Sequence, residues 1–233
     1  KIVYMPNSYQ VNVSKRNISK APLSRDNFGL PNNGFIFCCF NNTYKITPPT
    51  FSLWMNILKE VDESVLWLFE SNNNSVINLK KEAIKYGINE KRMVFASHMP
   101  VEDHLNRLQL ADLFIDTLPY NAHTTSSDAL RMGLPVLTCL GESFASRVAG
   151  SLLNAVNLPE LITNTPEEYE ALAIELATHP EKLKAIKEKL ASNLSTAPLF
   201  DTKRFTKNLE SAYTQMYERN QKGLEPDHIY VEE

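Results

Sequence analysis

The stretch from Asp116 to Asp128, Asp-Thr-Leu-Pro-Tyr-Asn-Ala-His-Thr-Thr-Ser-Ser-Asp, concentrates groups able to do chemistry. His123, Thr124, Thr125, Ser126 and Ser127 place an imidazole and four hydroxyls around the first turn of a helix that closes on Gly133. Unpaired backbone N–H groups and the positive end of the dipole favour an anion at such a helix start, so the chemistry suits a phosphate. Asp128 falls one turn further on, on the face of Thr124 and Thr125, where a carboxylate can accept hydrogen bonds from sugar hydroxyls. The competing reading is a helix merely capped by Thr124 or Ser126. Lys45 is a lone cation after an apolar run, suited to a diphosphate and equally able to be a surface lysine. His104 and Arg107 share a helix face at i, i+3 and can lie on a nucleobase ring, or simply face water. Glu102 and Asp103 read as solvated charge, because adjacent helix residues do not face each other. Arg147, at another helix start, is placed to pair with Glu142 or Asp116.

The elements that would position these groups are legible as period. Apolar runs at residues 35–40, 65–69, 93–95, 113–115 and 136–140, with a short one at 161–162, predict strands. Between them, helical spacing predicts helices from Thr50 or Ser52 to Val61, through Val76 and Ile84, over 101–111, through Ala129 to Gly133 with residues 123–127 around its first turn, and over 145–153. Two helices follow around Tyr169 and Leu183. A last one runs from about Thr202 to Gln221 with Phe205, Leu209, Tyr213 and Met216 on one stripe. This alternation predicts an α/β fold, a Rossmann-like parallel sheet with helices on both faces. In such sheets ligands bind beyond the carboxyl ends of the strands, where the polar loops 41–45, 97–107, 121–128 and 141–147 would gather. Neither G-x-G-x-x-G after the first strand nor G-x-x-x-x-G-K-[ST] occurs. Residues 1–33, with three prolines and the scattered cations Lys15, Arg16, Lys20 and Arg25, read as a connecting segment with a solvated basic surface; 34–200 form the sheet domain and 201–233 a C-terminal helix and tail.

The totals remove several function classes. The chain has 233 residues, 43% of them hydrophobic, which is ample for a globular core. A formal net charge of −3 argues against nucleic acid or an anionic membrane as partner. No apolar run approaches the roughly 18 residues needed to cross a bilayer. The chain opens on Lys1 without methionine or a signal-peptide pattern, which reads as a fragment. Cys38, Cys39 and Cys139 lie in apolar runs without CxxC spacing, as buried thiols of a reducing cytoplasm would. The five histidines show no metal-ligand spacing and there is no Asp-x-Asp, so no metal cofactor is expected.

Taken together, Phe37-Cys38-Cys39-Phe40-Asn41-Asn42-Thr43-Tyr44-Lys45-Ile46, Val65-Leu66-Trp67-Leu68, Leu110-Ala111-Asp112 and Asp116 through Thr125 resemble the C-terminal half of the O-linked N-acetylglucosamine transferase family, in wording nearest its bacterial members. Gly133-Leu134-Pro135-Val136 and Gly141-Glu142 with Ala145-Ser146-Arg147-Val148 extend the resemblance, which spans about residues 1–217. It implies the C-terminal, donor-binding lobe of a two-lobed GT-B glycosyltransferase. The donor would be UDP-N-acetylglucosamine, transferred with inversion to protein Ser or Thr hydroxyls. It implies Asn42 near the phosphates, Lys45 on the β-phosphate, and His104 and Arg107 on the uracil. His123, Thr124 and Thr125 would hold the pyrophosphate, and Asp128 the ribose. Lys45, suited to stabilising the leaving diphosphate, is the one catalytic assignment. Where some members have a lysine near the ribose, this chain has Val101. Acceptor contacts would lie in an absent N-terminal lobe, against which the last helix would pack, and a helical-repeat domain would recruit substrates, so the fragment alone would be inactive. Two rivals remain: a GDP-fucose-dependent protein fucosyltransferase, whose branch tends to lack a histidine before Thr-Thr, and an inactive nucleotide-sugar-binding module. Sugar-nucleotide epimerases share the two-lobed fold but match the local motifs less well.

Overall fold

The computed structural model describes residues 1–232. A six-stranded sheet is built from β2 (Ile36–Cys39), β3 (Val65–Phe69), β4 (Met93–Ala96), β5 (Leu113–Ile115), β6 (Val136–Cys139) and β7 (Ile162–Thr163), in the order β4-β3-β2-β5-β6-β7. Every pairing in it is parallel. Strands β2, β5 and β6 are buried at every position, as a sheet covered on both faces requires, which is why they appear in the sequence as unbroken apolar runs. The helices are α1 (Pro48–Glu60), α2 (Asn73–Lys85), α3 (Val101–Arg107), α4 (Thr124–Arg131), α5 (Val148–Ala155), α6 (Pro166–Thr178), α7 (Pro180–Asn193) and α8 (Thr202–Gln221). Right-handed crossovers step outward one way through α1 and α2 and the other way through α4 and α5, which puts the two pairs on opposite faces. Trp54 of α1 and Trp67 of β3 are fully buried in the common core.

The order reverses between β2 and β5, and that crevice is where doubly wound sheets open to ligands. Three helices differ at their ends from the sequence expectation, among them α5, expected from Ala145, which begins at Val148 after a 3-10 turn over Phe144–Ser146 capped by Ser143. Helix α1 starts at Pro48, ahead of Thr50, because Thr47 caps it and two prolines occupy first-turn positions whose N–H groups would be unpaired anyway. The helix expected over 101–111 is α3 followed by a 3-10 turn, Leu108–Leu110.

The first 33 residues are tied to the rest. Strand β1 (Val3–Tyr4) pairs in parallel with β8 (Ile229–Tyr230), and with Ala212 of α8 they enclose a small second cluster. Asn208 and Ala212 are the buried positions of α8, whereas Tyr213 is 59% exposed and Met216 38%. The apolar stripe read from the sequence therefore turns partly outward. Of the cations expected to be solvated, Arg25 is instead partly buried and ion-paired to Asp112 at 2.9 Å, and Arg16, still exposed, is ion-paired to Asp128 at 3.3 Å. Both partners lie about 90 or more residues away, beyond the reach of any local pattern. Gly34, where this segment enters β2, has φ +95°, and a Cβ there would sit 2.1 Å from the Glu63 carbonyl oxygen.

Candidate functional site

The loops leaving β2 and β5 meet at the switch point through a buried polar knot. Asn41, which follows β2, donates its amide to Asp116 Oδ1 at 3.2 Å and to Thr117 Oγ1 at 2.8 Å. It accepts from Thr125 Oγ1 at 2.5 Å, which ties the first turn of α4 to the loop after β2. Asp116 is wholly buried and also accepts from the Thr117 N–H at 2.7 Å, the Ala122 N–H at 2.6 Å and Thr138 Oγ1 at 2.8 Å. Burial pushes its carboxyl up to about 6, against the pull of the Thr138, Ala122 and Thr117 hydrogen bonds. Asp116 thus shapes the loop carrying residues 117–123, and Arg147 has no part in holding it. The expected pairing of Arg147 with Asp116 or Glu142 is absent, because Asp116 is sealed among backbone and hydroxyl donors while Arg147 stays exposed at the start of α5.

Helix α4 begins where the chemistry was expected. His123 occupies its N-cap position, and the Thr124 and Thr125 amides have no hydrogen-bond partner among the described residues. Lys45 ends the 3-10 turn after β2, and its Nζ donates to the Asn121 carbonyl at 2.9 Å and lies 3.8 Å from the centre of the Tyr120 ring. Partial burial lowers the Lys45 pKa, opposed by the Asp116 carboxylate. The His123 imidazole packs on Tyr9, Tyr120 and Phe144, and burial with the nearby Lys45 charge lowers its pKa, opposed by the Ala145 backbone. Five buried side-chain polar atoms among the described residues lack a partner, and four of them belong to this neighbourhood: Asn121 Oδ1, His123 Nε2, Ser126 Oγ and Gln10 Oε1. These atoms are closed to solvent, so they mark incomplete internal pairing beside the crevice, with the Ala145 backbone next to the His123 ring.

Beyond β3 and β4 lies a second recess, a cleft of about 170 Å³ lined by Phe40, Phe69, His98, Met99, Val101, His104 and Arg107. Arg107 is 2% exposed, with its guanidinium 5.1 Å from the Phe40 ring centre. Its Nε donates to His104 Nδ1 at 3.1 Å and its Nη1 to the Ser97 carbonyl at 2.7 Å. Burial, then Arg107, then His98 push the His104 pKa down to about 4, so the imidazole is neutral at neutral pH, with Nδ1 as acceptor and Nε2 carrying the proton. Both side chains line the cleft, and the buried Arg107 guanidinium fixes the orientation of the His104 ring.

The remaining sequence candidates divide. Asn42 is exposed and turned towards the loop after β3, where its Oδ1 accepts from Ser71 Oγ at 3.5 Å; its neighbour Asn41 is the one that reaches α4. Asp128 is 9% exposed on the buried side of α4, ion-paired to Arg16. Burial raises its pKa while Arg16 and Arg131 hold it down. Asn41, Thr138 and the segment from Tyr9 to Arg16 are parts of the site that sequence reasoning missed. Asn41 stood within a loop already singled out, but only folding distinguishes it from Asn42.

Comparison with known proteins supplies the family and the fold. The family described as Glycosyl transferase family 41 matches residues 10–209. A probable UDP-N-acetylglucosamine–peptide N-acetylglucosaminyltransferase of Arabidopsis thaliana is 38% identical over 237 residues, covering 99% of this chain and 24% of the plant protein. The UDP-N-acetylglucosamine–peptide N-acetylglucosaminyltransferase of Caenorhabditis elegans is 37% identical over 206 residues, covering 88% of this chain and 18% of the worm protein. Among solved structures, a mutant O-GlcNAc transferase of Thermobaculum terrenum superposes with a TM-score of 0.76 at 31% identity, over 91% of this chain and 39% of that one. The chain thus spans a quarter or less of the length of these curated relatives.

Proposed function

The chain belongs to glycosyl transferase family 41, and from that membership we propose that it is the donor-binding lobe of a protein O-glycosyltransferase using UDP-N-acetylglucosamine. The observation that carries the reading is the start of α4, where unpaired amides of Thr124 and Thr125 share the switch-point crevice with Lys45. On this reading the diphosphate lies against Thr124, Thr125, His123 and Lys45, the ribose against Asp128, and the uracil in the cleft under His104, with Asn42 and Arg107 as outer members of the site. Inverting transfer expels the nucleoside diphosphate, so negative charge growing on its bridging oxygen is stabilised by Lys45 and the α4 dipole. Among the described residues no three His, Cys, Asp or Glu side chains come together as a metal site would need, and this proposal assigns the neutralising charge to Lys45 and α4.

Transfer to a protein hydroxyl would need the other lobe and, as the family resemblance implies, a helical-repeat domain as substrate recruiter; the relatives are long enough to hold both, since this chain covers 24% and 18% of them. No helix among the described residues is long and apolar enough to cross a membrane. All three cysteines are free and buried, which supports a cytoplasmic setting, and the bacterial affiliation is part of the same proposal.

Titration calorimetry on the 233-residue chain tests the donor. UDP should bind in preference to GDP, and Asp128→Asn should weaken UDP by about tenfold, the loss of one charge-assisted hydrogen bond. Preference for GDP would transfer the assignment to a fucosyl donor, and failure of a folded chain to bind either would end it. Incubated alone with UDP-N-acetylglucosamine and an acceptor peptide, the chain should show no transfer by mass spectrometry; robust turnover would place the acceptor machinery within these 233 residues.

A further inference from the structure

The segment ahead of the sheet domain follows the site in order. Tyr9 Oη meets His123 Nδ1 at 3.3 Å, Gln10 Nε2 donates to Ser127 Oγ at 3.0 Å, and Arg16 Nη1 lies 3.3 Å from Asp128 Oδ1. The Ser19 N–H then donates to the Glu102 carbonyl of α3 at 3.2 Å, and Asn106 of α3 donates to the Ala21 carbonyl at 2.9 Å. The strap therefore passes from the helix start assigned to the diphosphate, past the carboxylate assigned to the ribose, to the helix that carries His104. Its course is fixed independently of those contacts. Arg131 donates to the Val13 and Ser14 carbonyls and stacks 4.2 Å from the Phe200 ring centre, while Thr202 bonds Ser14 Oγ at 2.7 Å and the Asn12 carbonyl at 2.9 Å.

We propose that Arg16 is a positioning residue of the donor site, holding the Asp128 carboxylate ionised and oriented through one of its oxygens so that the other is left for the ribose hydroxyls. The inference rests on the donor-binding reading above. Arg16 approaches the carboxylate at Oδ1, and Oδ2 accepts no hydrogen bond among the described residues. A buried carboxylate without a cation would protonate more readily and lose its capacity as an acceptor. Two cations flank it, Arg16 from the strap and Arg131 from its own helix, but the Arg131 guanidinium is committed to strap carbonyls, which leaves Arg16 as the direct partner. The strap and α4 are thereby one unit. The side chain that fixes the sugar-binding carboxylate comes from more than 100 residues upstream, outside the sheet.

Calorimetry with UDP on wild type, Arg16→Gln, Arg16→Lys, Asp128→Asn and the Arg16→Gln/Asp128→Asn double variant tests this. Arg16→Gln should weaken UDP by about fivefold at neutral pH, and the double variant should bind no worse than Asp128→Asn alone, because Arg16 acts through Asp128. Arg16→Lys, keeping the charge for a single-oxygen contact, should stay within about twofold of wild type. Without Arg16 the carboxylate takes its proton at higher pH, so the ratio of wild-type to Arg16→Gln affinity should widen as pH falls, a change that a structural role would not produce. A thermal melt confirms that each variant is folded. Tighter binding by Arg16→Gln would make Arg16 a competitor for the carboxylate, and losses that are pH-independent and additive with Asp128→Asn would make it structural; either overturns the proposal alone. A folded wild type that does not bind UDP overturns the donor reading itself.

Discussion

Replacing Lys45 with Ala should weaken UDP binding by roughly 10- to 150-fold, the worth of a charge-assisted hydrogen bond to phosphate, while leaving uridine binding and the thermal midpoint nearly unchanged. In the free chain the amine makes one hydrogen bond, to the Asn121 carbonyl, and lies on the Tyr120 ring. It is held where it is wanted without being needed for the fold. Its removal takes away a cation from a partly desolvated crevice, where the attraction for a diphosphate exceeds its value in bulk water. Uridine is the control that separates roles, since it offers the base and ribose without phosphate. Loss of both ligands in parallel would mean that the Asn121–Tyr120 loop had collapsed, and retention of both would return Lys45 to the surface-lysine reading. In a longer protein able to transfer the sugar, the same charge would act most strongly on the departing diphosphate, and the variant would lose turnover beyond what it loses in affinity.

The architecture was legible because parallel strands covered on both faces must be apolar throughout, so Val65–Phe69 and Leu113–Ile115 announce themselves with correct ends. The start of α4 was legible for a related reason: a helix N-terminus after a strand advertises itself in hydroxyls. What escaped was everything decided by contacts between distant segments. Arg107, on an amphipathic helix, carries the expected signature of an exposed cation, yet it is buried because the Ser97 carbonyl, His104 and the Phe40 ring receive its guanidinium. Asn41 and Asn42 are identical residues side by side, and the backbone alone decides that one enters the knot and the other turns away. The strap has no periodicity at all. Its placement depends on single bonds to α4, α8 and α3, none of which leaves a local pattern.

Asp116 is where the largest stability effect is expected, and its two obvious substitutions should behave very differently. Asp116→Ala strands the Thr117 and Ala122 N–H groups, the Thr138 hydroxyl and the Asn41 amide in a site closed to water, at a cost of about 3–5 kcal/mol, or roughly 10 °C in thermal midpoint. Asp116→Asn keeps an oxygen for the two backbone donors and turns its NH₂ to the Thr138 oxygen, so it should fall within about 1.5 kcal/mol of wild type. Asp116→Asn should retain UDP binding, while Asp116→Ala should lose it along with the conformation of the loop to His123. The pH dependence has a definite sign. The folded-state value of about 6 lies above the ordinary carboxyl value of 3.8 expected on unfolding, so between these limits the folded chain holds the extra proton. The contribution of Asp116 to stability therefore falls as pH rises from about 4 to about 6, by at most about 3 kcal/mol, and is flat above. Denaturant unfolding of wild type and Asp116→Asn across this range should show that difference. If the Asn variant is as damaged as the Ala variant at pH 7, the loop requires the negative charge itself, and the hydrogen bonds alone do not account for its shape.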